Sequence, residues 1–390
     1  MLRDLSAPAV AMGVLAAFVG YAASFSIVLT GLTAMGASEA QAATGLFFAT
    51  LGMGLCSLWL PALTRTPAAV AWSTPGAAFL ASTAVLPGGF AEAVGTLIVC
   101  AGMILVTGFV PALGRVVAAI PRPVASALLA GVLLKLCLAP ALALGAIPKL
   151  VAPVVAAWAL GLVWNRLAAM PLAVLAFVLV LAFGVEGPAG GIQNDIALMP
   201  ALTPVMPVFS VQAVISVALP LYLITMAGQN IPGFAVLEMN GYAVRRPAML
   251  RNTGAASLLI AVFGAVPVNM SAITAAMMAG EDAGRDPAGR YWAAMVSGLA
   301  YVAMAFAATR VTSAFALAPN LLITAVAGLA LIPALVAALS AAFSNTRQIE
   351  APAMTFLIAA SGMTLWGVSG AFWGLVLGVG LWGVKAAAGR

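Results

Sequence analysis

Apolar residues run along this chain in long unbroken stretches, without the strict alternation of a half-buried strand or the one-sided spacing of a surface helix. A helix needs roughly 20 such residues to cross about 30 Å of hydrocarbon. Fourteen membrane segments are predicted: 8–34, 41–60, 69–84, 91–110, 122–141, 149–165, 170–186, 209–230, 247–265, 266–280, 290–309, 318–341, 350–365 and 367–386. Continuous runs favour helices over a transmembrane barrel, whose strands alternate. The third and tenth segments are short and interrupted. The expected fold class is an all-α polytopic membrane protein with short strands and half-helices at those two places.

Composition supports the bilayer as solvent. Of 390 residues, 64% are hydrophobic and 7% charged, against about 25% charged in soluble domains; mean hydropathy is +1.15. The net charge of +6 reads as a topology signal rather than a nucleic-acid surface. With the N-terminus inside, the cytoplasmic side receives Arg3, Arg65, Arg115, Arg122, Arg166, Arg245, Arg246, Arg251, Arg285, Arg290, Arg347, Lys385 and Arg390. The outside receives Lys149 and Arg310, and Lys135 falls within a span. Both termini are therefore expected in the cytoplasm, and the start of the chain reads as a full span rather than a cleavable signal.

The two halves resemble each other at a shift of about 197 residues, Ala130-Gly131 matching Ala327-Gly328 and Thr74 falling opposite Met270 or Ser271. The expectation is a seven-plus-seven inverted repeat, residues 1–200 and 201–390, with broken helices in corresponding places.

Those breaks hold the candidate chemistry. In the first, Trp72 precedes Ser73-Thr74-Pro75, where Ser73 or Thr74 can cap a helix that starts with proline. In the second, Pro267-Val268-Asn269-Met270-Ser271 leads into a helix with Asn269 as the expected cap. Two half-helix N-termini facing each other at mid-bilayer would offer bare amides and positive dipole ends to an anion. Gln229 and Asn230 form a second polar cluster at the expected end of the eighth segment. Tyr21, Ser24 and Ser26 add hydroxyls from the first. The ten acidic residues all map to span ends or loops. Lys135 is the one deep charge, free to snorkel or to pair. There is no histidine, and Cys56, Cys100 and Cys137 lack metal-ligand spacing. No cofactor or metal is expected, and a membrane-embedded enzyme is disfavoured.

At these motifs the chain resembles the benzoate/proton symporters of bacterial inner membranes. The resemblance lies in Val19-Gly20-Tyr21-Ala22-Ala23-Ser24, Arg65-Thr66-Pro67, Ala71-Trp72-Ser73-Thr74-Pro75-Gly76-Ala77, Gln229-Asn230-Ile231-Pro232-Gly233, Asn240-Gly241-Tyr242, Asn269 with Ala272–Ala276, and Ser369–Leu375. It covers nearly the whole chain, and the run Trp72–Gly76 is specific. The family looks like a relative of the uracil and xanthine permeases. That implies a core domain of spans 1–4 and 8–11 (about 8–110 and 209–309) and a gate domain of spans 5–7 and 12–14 (about 122–186 and 318–386). Substrate would lie between the strands of spans 3 and 10. Tyr21, Ser24, Trp72, Ser73, Thr74, Gln229, Asn230, Asn269, Met270 and Ser271 would be in reach of it. The resemblance implies uptake of a small aromatic carboxylate with a proton across the inner membrane, and a homodimer through the gate domain. Nucleobase permeases carry acids near the positions of Gln229 and Asn269; the amides here suit an anion but remove the obvious proton carrier. A nucleobase permease or an anion exchanger on the same fold is the alternative.

Overall fold

The computed structural model describes residues 4–184, 199–344 and 348–388. Arg3, Glu186, Asp195, Arg347 and Arg390 of the charge map lie outside them. Seven helices are long and apolar enough to cross a membrane. The first, Ala7–Ala34, is broken into α1 (Ala7–Ala22) and α2 (Phe25–Ala34). The others are α3 (Glu39–Thr64), α5 (Gly89–Phe109), the pair α7 (Arg122–Cys137) and α8 (Ala139–Ala146), α11 (Val211–Met239), α16 (Asn320–Ala342) and α18 (Gly370–Ala387). Shorter helices are α4 (Thr74–Ser82), α6 (Pro111–Ala118), α9 (Pro148–Trp164), α10 (Ala169–Gly184), α12 (Arg246–Ala261), α13 (Ala272–Ala279), α14 (Tyr291–Ala305), α15 (Ala308–Ala316) and α17 (Glu350–Ser361). Helix α15 follows α14 across a 56° bend, which makes that pair an eighth candidate span.

Several sequence expectations are corrected. The eighth segment does not stop at 230. It continues to Met239, because a π-helical stretch precedes each proline, Val214–Ala218 before Pro220 and Met226–Asn230 before Pro232, and absorbs it without breaking the helix. The first segment breaks at Ala23–Ser24, where Ser24 turns its hydroxyl back to the Gly20 carbonyl. The connections expected between the fourth and fifth and between the eleventh and twelfth segments hold the short helices α6 and α15, of eight and nine residues, which at about 12–14 Å are too short to span alone. Among the acids, Glu92 sits at a span end as expected, in the first turn of α5, and is buried there at 5% exposure. Its carboxylate accepts from the Gly88 amide and the Ser210 hydroxyl, which is why it tolerates the site.

Between α3 and α4 lies β1 (Val70–Trp72), and between α12 and α13 lies β2 (Val268–Met270). They pair antiparallel, Val70 opposite Met270, Ala71 opposite Asn269 and Trp72 opposite Val268. A two-stranded ribbon inside a membrane protein leaves two bare edges that lipid cannot satisfy. Serines on the neighbouring long helices supply the partners. Ser57 of α3 bonds both the amide and the carbonyl of Val70, and Ser257 of α12 does the same for Val268.

The helices pack in two groups. In one, α14 lies on α1 and α3, α12 on α5 and α3, and the ribbon is embedded among them. Gly54 and Gly298 face each other where α3 crosses α14; a Cβ on either would meet the other's backbone within 2.9 Å. Small residues let helix backbones close in this way where no hydrophobic effect drives them together. In the other group, α16 and α17 pack on α7, α18 on α17, and α10 on α9. A second hairpin, β3 (Thr364–Leu365) with β4 (Val368–Ser369), joins α17 to α18 through Trp366 and Gly367, both at positive φ.

Candidate functional site

The ribbon carries a half-helix at each end, running in opposite directions. Ser73 bonds Pro267 through its amide at 2.8 Å and caps α4, its hydroxyl accepting from the Gly76 amide. Ser271 bonds the Ala69 carbonyl through its amide at 2.9 Å and caps α13, accepting from the Thr274 amide. The expected cap Asn269 is thus displaced by Ser271. Asn269 lies inside β2, fully buried, where its side-chain amide bridges strands: Nδ2 donates to the Met270 carbonyl at 2.9 Å and Oδ1 accepts from the Ser73 amide at 3.0 Å. Four residues of strand separate Ser73 from the partner of Ser271, about 13 Å of rise. The N-termini therefore flank the ribbon rather than touch.

Around the ribbon, polar side chains divide into engaged and free. Asn230, fully buried in the π-helical stretch of α11, accepts from the Met270 amide at 3.0 Å. Gly233, one turn on, lets α11 approach: a Cβ there would meet the Met270 Cβ at 2.9 Å. Ser73 pairs its hydroxyl with Thr225 at 2.7 Å. Trp72, 1% exposed, donates to Ser24 at 2.8 Å and packs on Tyr21 with ring centroids 5.3 Å apart. Tyr21 stacks on Phe25 at 5.7 Å, and Phe25 meets Phe315 at 5.8 Å, so an aromatic row leads out to α15.

Thr74 and Gln229 are different. Both are partly exposed, and neither side chain makes a hydrogen bond among the described residues. Gly228, beside Gln229, lies between Pro75 of α4 and Leu129 of α7. The amides of Thr74, Ala272 and Ile273 in the two first turns have no partner among the described residues. The hydroxyls of Thr274 and Tyr21 are buried without a hydrogen bond of normal geometry, Tyr21 lying near Thr50. Buried polar atoms are rarely left so. Of the ten expected site residues, seven lie on the ribbon, its caps or the π-helical stretch beside it, Thr74 is the first residue of α4, and Ser24 and Tyr21 join through Trp72.

The sequence reading missed Ser57, Ser257 and Thr225, which hold the ribbon and its cap in place. A signal existed: a lone serine inside an apolar helix 13 residues before β1 and another 11 before β2.

Comparison with known proteins gives this arrangement its family. A profile described as "Benzoate membrane transport protein" (BenE) matches residues 3–384. The chain belongs to the BenE family. It is 35% identical over 379 residues to "Inner membrane protein YdcO" of Escherichia coli, covering 97% of this chain and 95% of that one. It is 28% identical, with the same coverage, to the "Benzoate membrane transport protein" of Acinetobacter baylyi. Among solved structures, this BenE-family member resembles the transmembrane domain of the cyanobacterial bicarbonate transporter BicA, with a TM-score of 0.62 at 16% identity and 98% of each chain covered. It also resembles SLC26A9, with a TM-score of 0.62 at 12% identity, covering 96% of this chain and 65% of that one. The fold is thus that of BicA and SLC26A9; a specific tie to uracil and xanthine permeases is not among these likenesses. The BenE-family member is a multi-pass membrane transporter.

Proposed function

We propose that this BenE-family member carries benzoate or a similar aromatic carboxylate inward with a proton, by alternating access to the ribbon. The observation that carries this reading is the ribbon itself: two half-helix N-termini with amides unpartnered among the described residues, lined by neutral Thr74 and Gln229, with neither carboxylate nor fixed cation bonded to them among those residues. Amides and dipole ends of this kind favour an anion. The carboxylate would take the first-turn amide of Thr74 at the start of α4, and the Thr74 and Gln229 side chains would complete its hydrogen bonds. Asn269, Asn230, Ser73, Ser271, Met270, Trp72, Ser24 and Tyr21 would shape and hold the site. No side chain there is suited to carry the proton. It would ride on the substrate carboxyl, whose pKa rises when the site desolvates it.

The same reading takes the chain as fourteen segments in two inverted halves. Matching serine bonds at Val70 and Val268, matching serine caps, and α6 and α15 in corresponding positions support it. The group around the ribbon would be the core and the group around α7, α16 and α17 the gate. The basic residues would set the α13 face, with both termini, in the cytoplasm. In this conformation α4 packs on α7 while α13 leaves Ile273 67% exposed. That asymmetry fits a state closed on the α4 face and open on the α13 face.

Purified protein in proteoliposomes tests the reading. Radiolabelled benzoate uptake is expected to be saturable, raised by an inward proton gradient and abolished by a protonophore. A second reading, anion exchange, is favoured by the likeness to BicA and SLC26A9; counterflow driven by bicarbonate or chloride with no response to the proton gradient would replace symport by exchange.

A further inference from the structure

A cavity of about 400 Å³ lies on the α4 face, away from the ribbon. Phe79 and Ser82 of α4, Val132 and Lys135 of α7, and Ser216 and Ser369 form part of its wall. Five residues of α4 separate Thr74 from Phe79, so the cavity begins about 7–8 Å along the helix from the ribbon. Two bonds tie the helix groups together beside it, Gln212 to the Gly367 carbonyl and Ser369 to the Ser216 carbonyl. All four residues of these bonds belong to the cavity wall, so the closure runs along the cavity.

Lys135 is the cation in this wall. It is exposed, and among the described residues it makes no hydrogen bond and no ion pair. Glu92, the carboxylate in the wall, has both oxygens engaged by Gly88 and Ser210. An unpaired ammonium within the 25-residue apolar span Arg122–Ala146 is costly and marks a pathway when it faces a polar cavity. The wall around it pairs that charge with apolar surface, the exposed side chains of Val85 and Met363 lying in the lining.

We propose that this vestibule is a second, entry-side site for the aromatic carboxylate. Lys135 pairs with the carboxylate group and Val85 and Met363 take the ring, before the anion moves along α4 to the ribbon. The proposal rests on the reading of the substrate given above. Its chemistry separates it from a site for small inorganic anions, which need the charge but not the apolar wall.

The test is labelling of Ser82→Cys, in a Cys137→Ala background, by a membrane-impermeant maleimide. Thr364→Cys, exposed in the same cavity wall, repeats it. Millimolar benzoate is expected to slow labelling, with acetate and chloride doing so less. Lys135→Gln loses the protection and Lys135→Arg keeps it. In uptake, Lys135→Gln raises the KM for benzoate about three- to fivefold, the size of one solvated ion pair, and the gap narrows at high salt. Labelling of a transport-competent protein that ignores benzoate, or protection equal in Lys135→Gln, overturns the vestibule while leaving the ribbon reading intact. Equal protection by chloride and benzoate also overturns it, in favour of a general anion sink. Protection by benzoate without benzoate transport overturns the ribbon reading and leaves the vestibule standing.

Discussion

Gln229 and Asn269 look alike in sequence, each an amide in an apolar surrounding, yet the structure gives them opposite circumstances. Asn269 is fully buried with both side-chain atoms bonded across the ribbon. Truncating it strands the Met270 carbonyl, a loss of about 1–3 kcal/mol. Gln229 is partly exposed and bonds nothing among the described residues. Asn269→Ala is therefore expected to lower both the melting temperature in detergent and the uptake rate. Gln229→Ala is expected to cut uptake at least tenfold with no change in melting, and Gln229→Glu to cut it further by placing a negative charge against the substrate. Thermal unfolding and benzoate uptake measured side by side on the three variants check this; normal uptake by Gln229→Glu would remove Gln229 from the site. The residue types were legible from sequence, and their engagement was not. Which amide is consumed depends on a strand partner some 200 positions away.

Each half-helix needs both ends satisfied, and the two ends were unequally visible. The start of α4 could be read from Ser73-Thr74-Pro75, since a capping hydroxyl and a proline in the first turn are local signals. The start of α13 was misread by two residues because Asn269 and Ser271 are both competent caps and only strand pairing chooses between them. Its other end could not be read at all. Arg290, 6% exposed, donates Nη1 to the Ala279 carbonyl and Nε to the Gly284 carbonyl, both at 2.7 Å. A cation there satisfies the last carbonyl and opposes the dipole of α13. Arg290→Ala is expected to destabilise the protein and to weaken transport. Arg290→Lys would restore only part of either, since one ammonium cannot reproduce the fork. Melting curves and uptake for the pair decide this. If lysine restores both fully, charge alone suffices and the fork is not required.

Across the whole molecule, the two helix groups meet differently on the two faces. On the α4 face they are joined by α4 against α7 and by the Gln212 and Ser369 hydrogen bonds. Alternating access requires these to break in each cycle. Ser216→Cys with Ser369→Cys, joined by a short bifunctional maleimide, is therefore expected to stop uptake, while either single variant treated alike continues. Undiminished transport in the cross-linked protein would show that this face does not open.

The membrane class and the position of both broken segments followed from sequence alone, because hydrocarbon demands long apolar helices and polar interruptions in them are conspicuous. So did the family resemblance, through the run Trp72–Gly76 and its companions. Tertiary structure decided the rest: that β1 pairs with β2, that Ser57 and Ser257 close the ribbon's edges, that α11 continues through its π-helical stretch to bring Asn230 under Met270, and that Lys135 faces a cavity. Each of these is a contact between residues far apart in the chain. Local pattern says what a segment must bury, and only packing says against which partner its polar atoms are spent.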